Sequence, residues 1–161
     1  MKTATIHELK QELHGITTSK LLELCLRLAK FKKENKELLT YLLFESHNEE
    51  DYIISVKSLI DESFTELPKA NLYLTKKSLR KIVRYINKYS KYTGSKQVDV
   101  ALHIYFCKKL NESGIPVKKS QLLVNLYRQE IKKINASLKE MHEDLQYDFQ
   151  QEVNALNNNN N

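Results

Sequence analysis

The sequence predicts an all-α protein of six or seven helices, in antiparallel hairpins forming one bundle with a long C-terminal helix. Glycine and proline are scarce, three and two in 161 residues, as helix interiors demand. Apolar residues make up 41% of the chain and recur at the three- and four-residue spacing of one-sided helices. No stretch sustains the period-two alternation of a half-buried strand. A chain of this length fits one domain and buries roughly 70% of its unfolded surface. Residues 1–156 therefore read as a single helical domain, and the asparagine run 157–161 as a disordered tail.

Thr5-Ile6-His7-Glu8 has capping-box spacing and Gly15 stops the pattern, so a first helix is expected over about residues 6–14. Thr17-Thr18-Ser19 offers an N-cap for a second, about residues 20–33. Its Leu21, Leu22, Leu24, Cys25, Leu28 and Ala29 cover more than half the circumference, which predicts a largely buried helix. Asn35 is placed to cap a third helix to about residue 45, with Leu38, Leu39, Leu42 and Leu43 inward. Asn48, with Asp51 three residues on, starts a fourth, which carries Tyr52, Ile53, Val56, Leu59, Ile60 and Phe64 and ends before Pro68.

A fifth helix is expected over about residues 75–92, and the tight link Thr93-Gly94-Ser95 leads to a sixth over about 96–111. Gly114 and Pro116 then break the chain. The last helix is expected to run without interruption over about residues 120–153, roughly 50 Å at ~1.5 Å per residue. Val124, Tyr127, Ile131, Ile134, Leu138, Met141 and Leu145 form a seam along it with alternating three- and four-residue spacing. Such a seam packs on its own domain or pairs with another copy, giving a homodimer.

Charge is distributed unevenly. The chain is +6 overall. Between Glu66 and Asp99 it has no acidic residue but carries Lys69, Lys76, Lys77, Arg80, Lys81, Arg84, Lys88, Lys91 and Lys96, so the remainder is net negative. At ~100° per residue the cations from Lys76 to Lys91 fall within an arc of about 140°. Leu79, Ile82, Val83, Ile86 and Tyr89 occupy the other side. One reading is a solvated rim over an apolar stripe. The other is a site for an anionic partner, formed by Lys76, Lys77, Arg80, Lys81, Arg84, Lys88 and Lys91. No carboxylate at i+4 relieves the repulsion, and a start at residue 75 would put Lys76 and Lys77 against the helix dipole. An acidic protein surface is the expected partner, with a nonspecific nucleic-acid backbone as the alternative.

A helix-turn-helix reader is disfavoured. Val98, Val100, Ala101, Leu102, Ile104, Tyr105, Phe106, Cys107 and Leu110 make the sixth helix too apolar for a major groove. A membrane-surface role is weaker still, because the apolar face of the basic helix lacks Trp and Phe. Asp99, His103 and Cys107 follow at i, i+4 and i+8. They read as a polar edge beside a buried thiol, or as the start of a metal or nucleophile site that no second cluster completes. His7 and His14 share a face with no further ligand. There is no phosphate loop, nucleophile elbow, HExxH or CxxC. No metal, cofactor or enzymatic activity is therefore expected. Cys25 and Cys107 read as free thiols. The first thirteen residues lack the apolar run of a signal peptide, and no apolar stretch approaches the ~20 residues of a membrane span. A soluble, cytoplasmic protein is expected.

Several segments carry a resemblance. Glu8-Leu9-Lys10-x-x-Leu13, then Leu21-Leu22-x-Leu24, then Phe31-Lys32-Lys33-Glu34-Asn35-Lys36-Glu37-Leu38-Leu39-x-Tyr41-Leu42 resemble the opening of a bacterial domain-of-unknown-function family. Its members begin ELKxxL, a Leu-rich helix and a YKKNKxVKxYL stretch. Leu74-x-Lys76-Lys77-x-x-Arg80-Lys81-Ile82 is similar to the family's basic stretch, and Met141-His142-Glu143-Asp144-Leu145 with Phe149 to its FHDxL ending. Phe31 stands where the family has Tyr, and Leu138-Lys139-Glu140 where it often has Gly-Trp-Gly. The resemblance spans most of residues 7–150. It implies an all-helical bacterial protein and supplies no activity or catalytic residues.

Overall fold

The structure is a computed structural model that describes residues 2–158. Among these residues it is all-helical, with eight α-helices and no strand. They divide into two compact units, one ending at Phe44 and the other beginning at Glu45.

The N-terminal unit holds α1 (Ile6–His14), α2 (Thr18–Phe31) and α3 (Lys33–Thr40), and leads into a π-helical turn, Tyr41–Glu45. Local side-chain chemistry starts its first two helices. The Thr5 hydroxyl accepts from the Glu8 amide while the Glu8 carboxylate accepts from the Thr5 amide, a complete capping box. Thr17 caps α2 by accepting from the Lys20 amide. Asn35 does not cap α3 as expected. Its side-chain amide donates instead to the Leu28 carbonyl at 2.8 Å, satisfying an acceptor left over at the end of α2 and tying α2 to α3, which pack together. The expectation of a buried second helix fails: no residue of α2 is buried, and Leu22 and Leu28 are 60% and 61% exposed. Three short helices provide no further layer to cover those side chains.

The C-terminal unit holds α4 (Glu49–Thr65), α5 (Leu72–Thr93), α6 (Lys96–Glu112), α7 (Gln121–Leu138) and α8 (Glu143–Asn158). Asn48 caps α4 by accepting from the Glu50 and Asp51 amides. Helix α6 lies at the centre and packs on α4, α5, α7 and α8. Its Val98, Val100, Leu102, Phe106 and Leu110 are wholly buried, as a helix apolar on most sides requires. Phe106 stacks at a tilt on Phe64 of α4, with ring centroids 5.7 Å apart. Gly94, at φ 66°, turns the chain from α5 into α6, and the Ser95 hydroxyl caps α6. That left-handed conformation favours glycine.

The expected continuous C-terminal helix is broken. The chain turns at residues 139–142, where the Glu140 and Met141 amides donate to the Ser137 and Leu138 carbonyls, and α8 returns antiparallel to α7. Burial explains the fold-back. Straight continuation would carry the apolar end of the seam into water, whereas the return leaves Val153 and Leu156 0% and 2% exposed. The Tyr127 hydroxyl donates to the Leu156 carbonyl at 3.2 Å. Asn157 and Asn158 prolong α8 rather than starting a disordered tail; Asn159–Asn161 lie outside the described residues. No helix among the described residues is long and apolar enough to cross a membrane.

Replacing Leu156 by Ala should lower unfolding stability by about 2–5 kcal/mol, the usual cost of truncating a buried leucine. Tyr147→Ala on the exposed side of α8 should change it by less than about 0.5 kcal/mol. Urea denaturation of both variants measures the contrast.

Candidate functional site

Helix α5 begins earlier than expected. Asn71 caps it by accepting from the Leu74 amide. Thr75 is buried in the first turn, its hydroxyl reaching the Pro68 and Asn71 carbonyls at 2.9 Å. Lys76 and Lys77 therefore sit in the second turn, where the dipole penalty fades. Leu79, Ile82, Val83 and Ile86 are buried toward the core, so the same helical period turns the cations outward.

Lys76, Lys77, Arg80 and Arg84 line a groove of about 570 Å³ between α5 and α7, together with Tyr73, Val83, Leu122 and Leu126. No carboxylate lines it. The structure thus brings four of the seven expected cations around one apolar floor. Lys81 and Lys88 lie elsewhere, with their ammonium groups over the Tyr85 ring at 5.5 and 5.6 Å from its centre. Lys91 is exposed and outside the groove lining. Among the described residues, no ion pair engages Lys76, Lys77, Arg80, Lys81, Arg84 or Lys91. Tyr73, Leu122 and Leu126 are site residues that sequence reasoning missed. Tyr73 and Leu122 are exposed although large and apolar.

A second polar cluster lies in the core. His103 of α6 is fully buried, and its Nδ1 lies 2.5 Å from Oε2 of buried Glu130 on α7. Its Nε2 stands 3.4 Å from Asp99 Oδ1, an ionic contact too long for a strong hydrogen bond. The other Asp99 oxygen accepts from the Ser137 hydroxyl at 2.9 Å. Burial opposes charge on both groups, but their mutual attraction wins. Asp99 is held at about 2 by His103 and Ser137, and the imidazole is raised above its ordinary value by Asp99 and Glu130. The expected Asp99–His103 contact is present. Cys107 is buried beside it, and burial pushes its thiol strongly up, which keeps it protonated and inert. His103 lines neither the α5–α7 groove nor a smaller one of about 90 Å³ beside Tyr105. The cluster therefore bridges α6 to α7, with His103 and Glu130 buried and Asp99 partly exposed. Among the described residues no group of His, Cys, Asp and Glu could hold a metal ion. Comparison with protein-family models, curated proteins and solved structures finds no match for this chain.

The stability contributed by His103 is complete below its unfolded value near 6.5 and is lost as pH rises through the raised folded value. The Asp99 contribution is present above its unfolded value of 3.8 and is lost as pH falls toward about 2. The urea midpoint should therefore fall on the alkaline side in the wild type, and less so in His103→Gln. Glu130→Gln should cost about 3–5 kcal/mol at neutral pH by breaking the buried His103–Glu130 pair. Equal alkaline slopes for wild type and His103→Gln would contradict the assignment.

Proposed function

We propose that the protein is a non-enzymatic helical interaction module that seats an acidic, amphipathic protein segment in the α5–α7 groove. The carrying observation is the pairing of Lys76, Lys77, Arg80 and Arg84 with a floor of Tyr73, Val83, Leu122 and Leu126, free of carboxylates. Like charges held together without compensation disfavour the free surface and favour an anionic ligand. The apolar floor favours a ligand that brings side chains as well as charge. An acidic helix with apolar anchors at i, i+3 or i+4 and i+7 offers both. A phosphate backbone offers charge alone. One observation supports nucleic acid as a second reading: exposed Lys81 and Lys91 extend the basic face of α5 beyond the groove, along a line that a backbone could follow.

Fluorescence anisotropy with a synthetic helical peptide, glutamates on one face and leucines on the other, tests the first reading against random duplex and single-stranded DNA. Peptide binding should weaken at least about tenfold in Arg80→Glu/Arg84→Glu, since each 1.4 kcal/mol is tenfold. Leu122→Ala should weaken it as well. Tight, steeply salt-dependent DNA binding that ignores Leu122→Ala would transfer the groove to the second reading. Indifference to both ligands would remove the functional reading.

A further inference from the structure

We propose that the occupant of the α5–α7 groove is the exposed acidic face of α8 from a second copy of this chain. The inference rests on the groove reading above and names its partner. After Lys139 the chain has no lysine or arginine, but it carries Glu140, Glu143, Asp144, Asp148 and Glu152. Between Glu66 and Asp99 the reverse holds. The C-terminal unit thus presents one helix charged only by cations, α5, and one charged only by carboxylates, α8. Glu140, in the turn before α8, pairs with Lys96 at 2.8 Å, and Glu152 pairs with Lys108. Among the described residues no lysine or arginine pairs with Glu143, Asp144 or Asp148, and the His142 ring lies 3.4 Å from Asp144. Both surfaces therefore hold uncompensated charge, of opposite sign.

Spacing and exposure match as well as charge. Asp144 and Asp148 stand at i and i+4 on the exposed side of α8, as Arg80 and Arg84 do on α5, so both pairs are spaced about 6 Å along their helices. Each guanidinium can hold one carboxylate in a forked contact. Tyr147 falls between the two aspartates and is 69% exposed, a large ring for the floor beside Leu122. The acidic stretches of α1 and α4 fit less well, because Lys10 falls between Glu8 and Glu12, and Lys57 between Asp51 and Asp61. A chain cannot fill its own groove without undoing its core: α8 is packed on α6 and α7, with Val153 and Leu156 buried. The second copy therefore contributes the helix. Groove and acidic face are different surfaces, so the contact is head to tail. Its few charged groups and single aromatic anchor make it weak and sensitive to salt.

Sedimentation equilibrium of the full chain over a wide concentration series, at low and at high salt, tests the proposal. At low salt the average mass of the wild type should climb above that of one chain, and high salt should return it toward one chain. Asp144→Lys/Asp148→Lys should weaken association at least about tenfold, and so should Arg80→Glu/Arg84→Glu. Tyr147→Ala should weaken it while leaving the urea transition in place. All four reversed side chains are exposed, so both double variants should keep their urea transitions. Mixing those two variants is the sharpest measurement. Neither should associate alone, but the lysines of one α8 suit the glutamates of the other groove, so the mixture should associate. A wild type that stays monomeric at low salt while its groove binds the synthetic acidic peptide would overturn this inference and leave the groove reading standing. A groove that binds neither would remove both. Association indifferent to Asp144→Lys/Asp148→Lys, or a mixture that stays monomeric where the wild type associates, would also overturn it.

Discussion

Helix α6 carries buried side chains on most of its sides, and the arrangement of α4, α5, α7 and α8 follows from the need to shield them. Four neighbours surround its apolar circumference. Phe106 meets Phe64 from α4, and Val98, Leu102 and Leu110 are closed off completely. The return of α8 belongs to the same requirement. Without it the flank of α6 now faced by α8 would be open, and Val153 and Leu156 would be exposed. The turn at residues 139–142 is therefore a consequence of the core rather than of a local breaker.

Against that apolar background the His103–Glu130 contact is a specific lock. An imidazole in a wholly buried position is costly without polar partners close by, and α6 and α7 each provide a carboxylate. The pairing fixes how far α7 is rotated about its own axis. That rotation in turn sets Leu122 and Leu126 beside Arg80 and Arg84. The groove thus inherits its shape from a contact inside the unit with no direct share in its lining.

Local chemistry was readable and long-range packing was not. Thr5, Thr17 and Asn48 cap helices as their spacing implies, because a cap involves only neighbours in the chain. The one-sided character of α5 was equally plain from its period. The break between α7 and α8 was hidden because the three-and-four spacing of Ile134, Leu138, Met141 and Leu145 passes through it undisturbed. The exposure of α2 was hidden for a related reason: periodicity tells which side of a helix seeks cover, not whether cover exists. The groove floor joins Tyr73 to Leu122 and Leu126, far apart in sequence, so only the cationic half could be foreseen. Glu130 did leave a trace. It falls on the apolar stripe of Leu123, Leu126, Tyr127 and Ile134, where a lone carboxylate calls for a buried counter-charge.

The cations that line the groove, Lys76, Lys77, Arg80 and Arg84, set stability against recognition. Crowded on one helix, they repel each other in the free protein and lower its resistance to heat, a cost that dissolved ions relieve by screening. The same ions would compete with the proposed acidic ligand for the groove. Melting temperature and affinity for the proposed ligand should therefore move in opposite directions as ionic strength rises.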